Sequence, residues 1–523
     1  MTLTENQTPR TSPPLSDGGR AGFGRLLHAE WTKFRTVRGW AFGMIGALVV
    51  IVVVGLVGTA ASNQNGGGGA LPVGPGGEAV NDSFSLVYQP LSGDGSIVAE
   101  VTSLTGVVAA GGPNSGTTAG LAPWAKAGII VKSSLDQGSA YAAIMATAAH
   151  GVRMQSDFTQ DTAGLSGTVS SASPRWIKLV RSGDILTGYD STDGSSWTEV
   201  GTANLSRLPS TVYVGLFTTT PEAATQTGTG VGMVPNVATG TFDQVTVGSG
   251  WNQGSWTGKQ IGRDAGTSGS YLPNTSASYH QDGNSGAITV TGAGDIAPVV
   301  GGSAFASGRP IENFLVGGFA GLIVVIVIGA GFMTAEYRRG LLGVTLAASP
   351  RRGRVLAAKG LVLTTTSFVT GVLAAVIALP IGEAQSNSNG FYVATVPFGT
   401  ELRVMLGMGM LLAAASVLAL GIGTIVQRGA IAIAIPVVAM VLPYILATSG
   451  ALPDGASNWL LKVTPAAGFA IQQSLKVYAQ VYTTYNPSSG YFPLAPWAGF
   501  AVLCAYAAAA YAIGAVLLRR RDV

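Results

Sequence analysis

The stretch 48-LVVIVVVGL-56 decides the fold class of this chain, because it forms the centre of a segment, residues 39–61, that contains no charged side chain. A helix that crosses the hydrocarbon core of a bilayer needs about 20 predominantly apolar residues in succession. Five further segments meet this requirement, at about residues 313–334, 357–382, 402–426, 429–449 and 495–518. The sequence therefore predicts six transmembrane helices. The first segment is too long and begins too far into the chain for a cleaved signal peptide, and we interpret it as a retained span.

The composition of the whole chain also indicates a membrane protein. Charged residues make up 10% of the 523 residues and hydrophobic residues 47%, whereas about 25% of the residues of an average soluble protein are charged. The single cysteine excludes an internal disulfide framework and a cysteine-based metal site. No P-loop, His-Glu-x-x-His pair or Gly-x-Ser-x-Gly elbow occurs. We therefore expect no catalysis, metal, cofactor or nucleic-acid partner on this chain.

The distribution of basic residues predicts the orientation in the membrane. Loops that carry many Lys and Arg residues remain in the cytoplasm. If six spans alternate, the basic residues of the N-terminal segment, of the loops after the second and fourth spans and of the C-terminal end all fall on one side. Both termini are therefore predicted to be cytoplasmic and the protein to lie in the plasma membrane. The main members of this set are Arg10, Arg20, Arg25, Lys33, Arg35, Arg38, Arg338, Arg339, Arg351, Arg352, Arg354, Arg428, Arg519, Arg520 and Arg521.

A long insert, residues 62–312, separates the first span from the second. It contains 10 Lys and Arg and 17 Asp and Glu residues, a net charge of −7, and the rest of the chain has +11. A glycine-rich linker at residues 62–78 begins it and is typical of flexible segments. Short alternating runs then recur between turn signals, which predicts an all-β sandwich outside the cell. These runs lie at residues 83–88, 97–101, 127–132, 141–147, 176–181, 185–190, 211–217 and 242–247.

Four strings in the insert resemble the concanavalin A-like lectin and glucanase jelly roll: 124-WAKAGIIVK-132, 174-PRWIKLVR-181, 189-YDSTDGSSW-197 and 212-VYVGL-216. The resemblance covers residues 79–247 and implies a jelly-roll domain, with residues 248–312 as an accessory β segment. The Glu-x-Asp-x-x-Glu string of related glucanases is missing. A cell-surface glycan remains a candidate ligand, although each aromatic residue is more typical of a core and Asp193 of a turn. The candidate glycan contacts are Trp124, Trp176, Asp190, Asp193 and Trp197.

Two cytoplasmic strings, 27-LHAEWTKFRTVR-38 and 334-TAEYRRGLLGVTLAASPRRGRVLAAK-359, resemble the permease subunit of type-2 ABC transporters in the actinobacterial style. The first has the spacing of an amphipathic helix in the membrane interface. The resemblance implies a dimer of permeases, homomeric or heteromeric, that binds a separate ATPase in which ATP is bound and hydrolysed. It also implies an interface helix with Phe23, Leu27, Glu30, Trp31 and Phe34. The implied ATPase-coupling residues are Glu336, Tyr337, Arg338, Arg339 and Gly340.

The predicted organisation runs from a disordered tail (1–20) through the interface helix (21–38), the first span (39–61), the linker (62–78) and the jelly roll (79–247). The accessory segment (248–312) and five further spans (313–523) follow, with a coupling loop at 335–356 and an external re-entrant segment at 450–494. The predicted function is that of an ABC permease whose external domain binds glycan or substrate. The alternative is a membrane-anchored protein that binds or senses extracellular glycan without transport.

Overall fold

The computed structural model describes residues 22–60, 71–110, 116–227, 230–262, 278–300, 309–338, 340, 351–389, 391–481, 485–487 and 490–520. The predicted tail at 1–20 and the first part of the glycine-rich linker lie outside these residues. So do Arg339 and residues 341–350 of the predicted coupling loop.

Eight α-helices are present in the described part of the chain. Six of them are long and apolar enough to cross a bilayer, as the sequence predicts, and they are α2 to α6 and α8. Two 3-10 helices, Ile311–Leu315 and Pro465–Gln472, precede α3 and follow α7. The helices are α1 (Phe23–Thr36), α2 (Arg38–Ala60), α3 (Gly318–Arg338), α4 (Arg352–Ser388), α5 (Phe398–Val426), α6 (Gly429–Thr448), α7 (Asp454–Val463) and α8 (Pro496–Arg520).

Helix α5 lies at the centre of the helical part, against α3, α4 and α8. Small residues make this packing close. A Cβ built on Gly371 of α4 would lie 2.7 Å from the backbone of Gly409, and one on Gly421 would lie 2.6 Å from the backbone of Ala510 in α8. Helices within a bilayer associate through such small residues, because the hydrophobic effect does not drive association in lipid and close backbone packing takes its place.

The insert between α2 and α3 forms the predicted β-sandwich. Its strands are β1 (Val80–Asp82), β2 (Phe84–Ser92), β3 (Gly95–Ala109), β4 (Thr117–Ala119), β5 (Lys126–Lys132), β6 (Tyr141–Thr147), β7 (Val152–Ser156), β8 (Gln160–Ala163), β9 (Arg175–Ser182), β10 (Ile185–Ser191), β11 (Thr198–Asn204), β12 (Thr211–Thr219), β13 (Ala223–Thr227), β14 (Gly230–Val234), β15 (Asn236–Gly248), β16 (Thr257–Ile261), β17 (Ser278–Gln281), β18 (Ile288–Gly292) and β19 (Ile296–Pro298).

Two antiparallel sheets stack face to face in this domain. The eight-stranded sheet has the order β11-β10-β9-β3-β15-β18-β17, with β4 beside β3. The seven-stranded sheet has the order β16-β2-β12-β5-β6-β7-β8. Alternation places Ile177 and Leu179 of β9 inside, opposite Ile129 and Val131 of β5, and these apolar faces form the main core of the sandwich.

The seven-stranded sheet is also covered on its outer face, so every residue of β5 and β6 is buried. A second hydrophobic cluster there contains Phe84, Tyr141, Phe158 and Phe217. Lys132 lies among these rings, fully buried, and donates a 2.8 Å hydrogen bond to Asp82. The strand pattern did not reveal this second layer, because the segments that cover it are distant in the sequence.

Residues 248–262 and 278–298 do not form a separate accessory segment, contrary to the sequence prediction. Strand β16 pairs with β2 and β18 pairs with β15, so the segment completes both sheets. The pairing of β19 with β1 closes the domain near its chain ends. The end of the glycine-rich linker is also structured, since Val80 N–H donates to the Pro72 carbonyl at 2.9 Å.

Candidate functional site

Helix α1 rests against the membrane helices by one narrow face. Phe34 is buried and meets the ring of Phe332 edge-on, with ring centroids 5.9 Å apart. Trp31 and Phe23 are 42% and 37% exposed on other faces of the helix. Exposed aromatic residues beside a docked face suit a helix that lies in the membrane interface.

A buried charge cluster lies beneath α1. Lys359 of α4 is fully buried, and its ammonium lies 2.8 Å from Oε2 of Glu30 and 2.7 Å from Oε1 of Glu336. Lys33 forms a second ion pair with Glu336. The Phe332 ring lies 4.6 Å from the Lys359 ammonium and adds a cation–π contact. The cluster thus joins one residue each of α3 and α4 to two residues of α1.

The cluster holds two carboxylates and two ammonium groups, so its formal charge is zero. Burial of Lys33, together with the neighbouring charge of Lys359, lowers the pKa of Lys33 to about 8. Removal of charges from water costs several kcal/mol per ion, which only close partners can offset. The four groups therefore hold α1, α3 and α4 in a single arrangement, since any separation would leave an unpaired buried charge.

The five predicted coupling residues differ in their positions. Glu336 is 3% exposed and faces the charge cluster, and Tyr337 is half-buried against the helical core. Arg338 and Gly340 are exposed. Among the predicted coupling residues that the structure describes, these two are available at the surface, whereas Glu336 holds the helices of this chain together.

Lys359 is the functional residue that the sequence interpretation missed. Its position near the start of a span predicts a side chain that snorkels to the interface, and that prediction is wrong because Lys359 is fully buried. The signal was present as two isolated opposite charges: Glu30 on the apolar face of an amphipathic helix and Lys359 inside an apolar segment.

The predicted glycan contacts of the sandwich do not form one site. Trp124 is 4% exposed, and its ring stacks on His150 with centroids 4.1 Å apart. Asp190 is fully buried and accepts a 2.6 Å hydrogen bond from Leu165 N–H. Both side chains therefore serve the interior of the domain.

Asp193 lies in a hairpin turn, as its sequence context favours. Its Oδ1 accepts hydrogen bonds from the N–H groups of Ser195 and Ser196 at 2.8 and 2.7 Å. These backbone donors, with the hydroxyls of Ser191 and Ser196, hold the pKa of Asp193 well below its usual range. Gly194 follows with φ +72°, a conformation that suits glycine. These contacts satisfy the carboxylate of Asp193, so its place in the turn requires no bound glycan.

The remaining two candidates share the outer face of the eight-stranded sheet. Trp176 and Trp197 are both half-buried there. The Lys178 ammonium lies 4.3 Å from the centroid of Trp197 and 4.6 Å from that of Tyr189. This group of Trp176, Lys178, Tyr189 and Trp197 is named the aromatic strip. It offers flat rings and a cation next to solvent.

The sandwich touches the helical part on the side opposite the charge cluster. Gln480, 1% exposed in the segment before α8, donates a 2.6 Å hydrogen bond to the Phe158 carbonyl in the β7–β8 turn. Ala79 N–H donates to the Tyr392 hydroxyl at 3.3 Å. The predicted re-entrant segment contains α7 and a fully buried 3-10 helix, which break at Pro465. No group of three or more His, Cys, Asp or Glu side chains suited to a metal occurs among the described residues.

Neither the protein-family models nor the curated proteins include a match to this chain. Among solved structures, two of scytalido-glutamic peptidase with transition-state analogues are similar. One is 10% identical, with 40% of this chain and 98% of that chain covered and a TM-score of 0.27. The other is 9% identical, with 41% and 99% covered and a TM-score of 0.25. A functionally unknown protein from Saccharomyces cerevisiae is 16% identical over 31% of this chain and 74% of that chain, with a TM-score of 0.19. At these values the likeness carries no argument about activity.

Proposed function

We propose that this chain is the membrane-spanning permease subunit of an ABC transporter and that a separate ATPase drives it. The observation that carries the proposal is the buried charge cluster of Glu30, Lys33, Glu336 and Lys359. A partner that displaces α1 or the end of α3 would move the start of α4 with it, because breaking the cluster is costly. A membrane anchor for the sandwich would not require this arrangement, since one span suffices for anchorage.

The distribution of charge in the spans supports an external source of energy. The Asp, Glu, Lys and Arg residues of α2 to α6 and α8 lie near the helix ends. Carriers driven by protons or sodium place carboxylates deep in the membrane, where they bind the coupling ion. The energy for transport would then come from a partner protein. Arg338 and Gly340 offer an exposed surface at the end of α3 to which that partner could bind. By analogy with the resembled family, two permeases would form a dimer in the plasma membrane with both termini inside the cell.

The proposal is tested by purification of the full chain from its native membrane in mild detergent. We expect an ATPase polypeptide with a P-loop to co-purify in a fixed ratio. Arg338→Glu should remove it, because reversal of a rim charge weakens docking to a complementary surface. Arg428→Glu, an exposed change on the same predicted side, is the matched control. Absence of any ATPase, or equal recovery with both variants, would refute the proposal.

A second candidate function concerns the sandwich alone, which we propose binds a glycan chain through the aromatic strip. The supporting observation is that Trp176 and Trp197, both half-buried, lie on the outer side of the eight-stranded sheet, because sugar rings stack on aromatic faces. Trp197→Ala should abolish retention of the full chain on cell-wall polysaccharide. Trp124→Phe, a buried change elsewhere, should not. Equal retention of the wild type and Trp197→Ala would contradict this role.

A further inference from the structure

An apolar groove runs along the helical part between α4, α5 and α8. Its volume is about 590 Å³. It is lined by apolar and small side chains of all three helices, and its few polar groups are the hydroxyls of Thr364 and Tyr511 and the Cys504 thiol. Residues that define it include Gly360, Thr364, Phe368, Ala414, Cys504 and Tyr511.

Helices α4 and α8, which flank the groove, are antiparallel, so the groove runs along both helix axes. A Cβ on Gly360 of α4 would lie 3.4 Å from the Tyr511 ring of α8. A Cβ on Gly353 would lie 3.1 Å from the Arg519 guanidinium, about 10 Å nearer the start of α4 at 1.5 Å per residue. In the other direction the groove reaches Phe368, about 12 Å beyond Gly360. It therefore covers about the depth of one leaflet, roughly 15 Å.

The end of the groove near Gly353 is strongly basic. Arg354 and Arg519 are exposed there, and Arg352 donates a 2.9 Å hydrogen bond to the Leu518 carbonyl, which ties α4 to α8. The first turn of α4 contains no acidic residue, and the last turn of α8 contains two arginines. Within the described residues no salt bridge involves Arg354 or Arg519. Positive charge thus accumulates where the apolar channel opens toward the predicted cytoplasmic surface.

We propose that this groove binds an anionic phospholipid of the inner leaflet, with one acyl chain along α4 and α8 and its phosphate at Arg354 and Arg519. A groove inside the hydrocarbon region must be filled by hydrocarbon or by protein. The basic end selects an acidic headgroup, as basic pockets between spans on the cytoplasmic side do. A second copy of the chain fits less well. A symmetric contact through this groove would bring the arginines of both copies together without acidic partners, and juxtaposed like charges disfavour such a contact.

The test uses the full-length chain and two probes, phosphatidylglycerol and phosphatidylcholine, with bound lipid measured by native mass spectrometry. The wild type should retain phosphatidylglycerol in preference to phosphatidylcholine. Arg354→Gln with Arg519→Gln should weaken phosphatidylglycerol binding about 30-fold (about 2 kcal/mol for two charges). Ala508→Trp, which fills the groove from α8, should reduce binding of both lipids. Arg38→Gln with Arg428→Gln, and Ala434→Trp on the exposed face of α6, are matched controls that should bind as the wild type does.

Cys504 supplies a second measurement, because it lines the groove and is the single cysteine of the chain. A membrane-soluble maleimide should label it several-fold more slowly in nanodiscs that contain phosphatidylglycerol than in those of phosphatidylcholine alone. Equal retention of the two lipids, or no effect of the arginine changes, would overturn the proposal. A Cys504–Cys504 disulfide between copies in phosphatidylglycerol membranes would also overturn it, because a second copy would then occupy the groove.

Discussion

Replacement of Lys359 by Met tests whether the buried charge cluster holds α1 against the membrane helices. Methionine fills a similar volume, so packing against Phe332 is retained while both ion pairs are lost. Glu30, 4% exposed, would then lose the ammonium that lies 2.8 Å from it, and Glu336, 3% exposed, would keep only its ion pair with Lys33. Removal of one partner from a buried ion pair costs about 3–5 kcal/mol.

That cost should appear as release of α1. At about 1.4 kcal/mol per tenfold change, a loss of 3 kcal/mol raises the undocked population about 100-fold. Limited trypsin digestion measures this population, because Arg25 and Arg35 lie on α1 and cleavage follows the open fraction when opening is fast. We expect Lys359→Met to be cut at α1 much faster than the wild type. Lys462→Met, an exposed lysine at the end of α7, is the control and should not change the rate.

A neutral cluster separates lost charge pairing from lost packing. The triple variant Lys359→Met, Glu30→Gln, Glu336→Gln leaves Lys33, one-third exposed, free to reach solvent. Protection of α1 should largely return, because replacing a buried ion pair by neutral groups of similar volume is often nearly neutral. Equal trypsin sensitivity of the wild type and Lys359→Met, with normal membrane insertion, would refute the idea that the cluster holds α1.

Three further predictions concern the sandwich. Burial raises the pKa of Asp190, so near this pKa the native domain binds more protons than the unfolded chain. The stability of the domain therefore falls as pH rises from about 4 through the raised pKa. Asp190→Asn should reduce this dependence of stability on pH and raise the melting temperature at pH 7, and a lower melting temperature at pH 7 would contradict the prediction. Gln480→Ala should leave the Phe158 carbonyl unpaired, at a cost of about 1–3 kcal/mol, and hydrogen exchange of the β7–β8 turn should quicken while that of β9 is unchanged. A fragment of residues 71–309 should be a soluble monomer with a strand-rich circular-dichroism spectrum, and a helical or unfolded spectrum would contradict it.

The spans and strands were predictable because each depends on a local pattern. An uncharged run such as residues 39–61 needs no partner to be recognised, and alternation in residues 176–181 predicts a strand before its neighbours are known. The order of strands in a sheet is not local. Nothing near residues 257–261 indicates that β16 pairs with β2, about 170 residues earlier in the chain, so this segment was interpreted as accessory.

The candidate site was predictable only in part, for the same reason. The sequence places Glu30 on an amphipathic helix and Glu336 and Arg338 just after a span, but it could not indicate which cation faces which carboxylate. That choice depends on the packing of α1 across α3 and α4. Arg338, one of the predicted coupling residues, is exposed at the end of α3, whereas Glu336, two residues earlier, points to the opposite side of the helix and is buried. About half a turn of the helix thus separates a surface residue from an interior one.

Helix α4 runs from the buried charge cluster to the contacts between the helical part and the sandwich. It has 37 residues and is therefore about 55 Å long, well beyond the roughly 30 Å of the hydrocarbon core. Lys359 in its second turn belongs to the charge cluster. Just beyond its other end, Tyr392 accepts the Ala79 N–H of the sandwich and the Arg309 N–H that precedes α3. A continuous helix with such contacts at both ends can transmit displacement from one to the other. Pro380, inside the helix, marks the place where it can bend. If a partner moves α1, we expect the movement to reach the external domain through α4, and stiffening by Pro380→Ala should alter that transfer without disturbing either set of contacts.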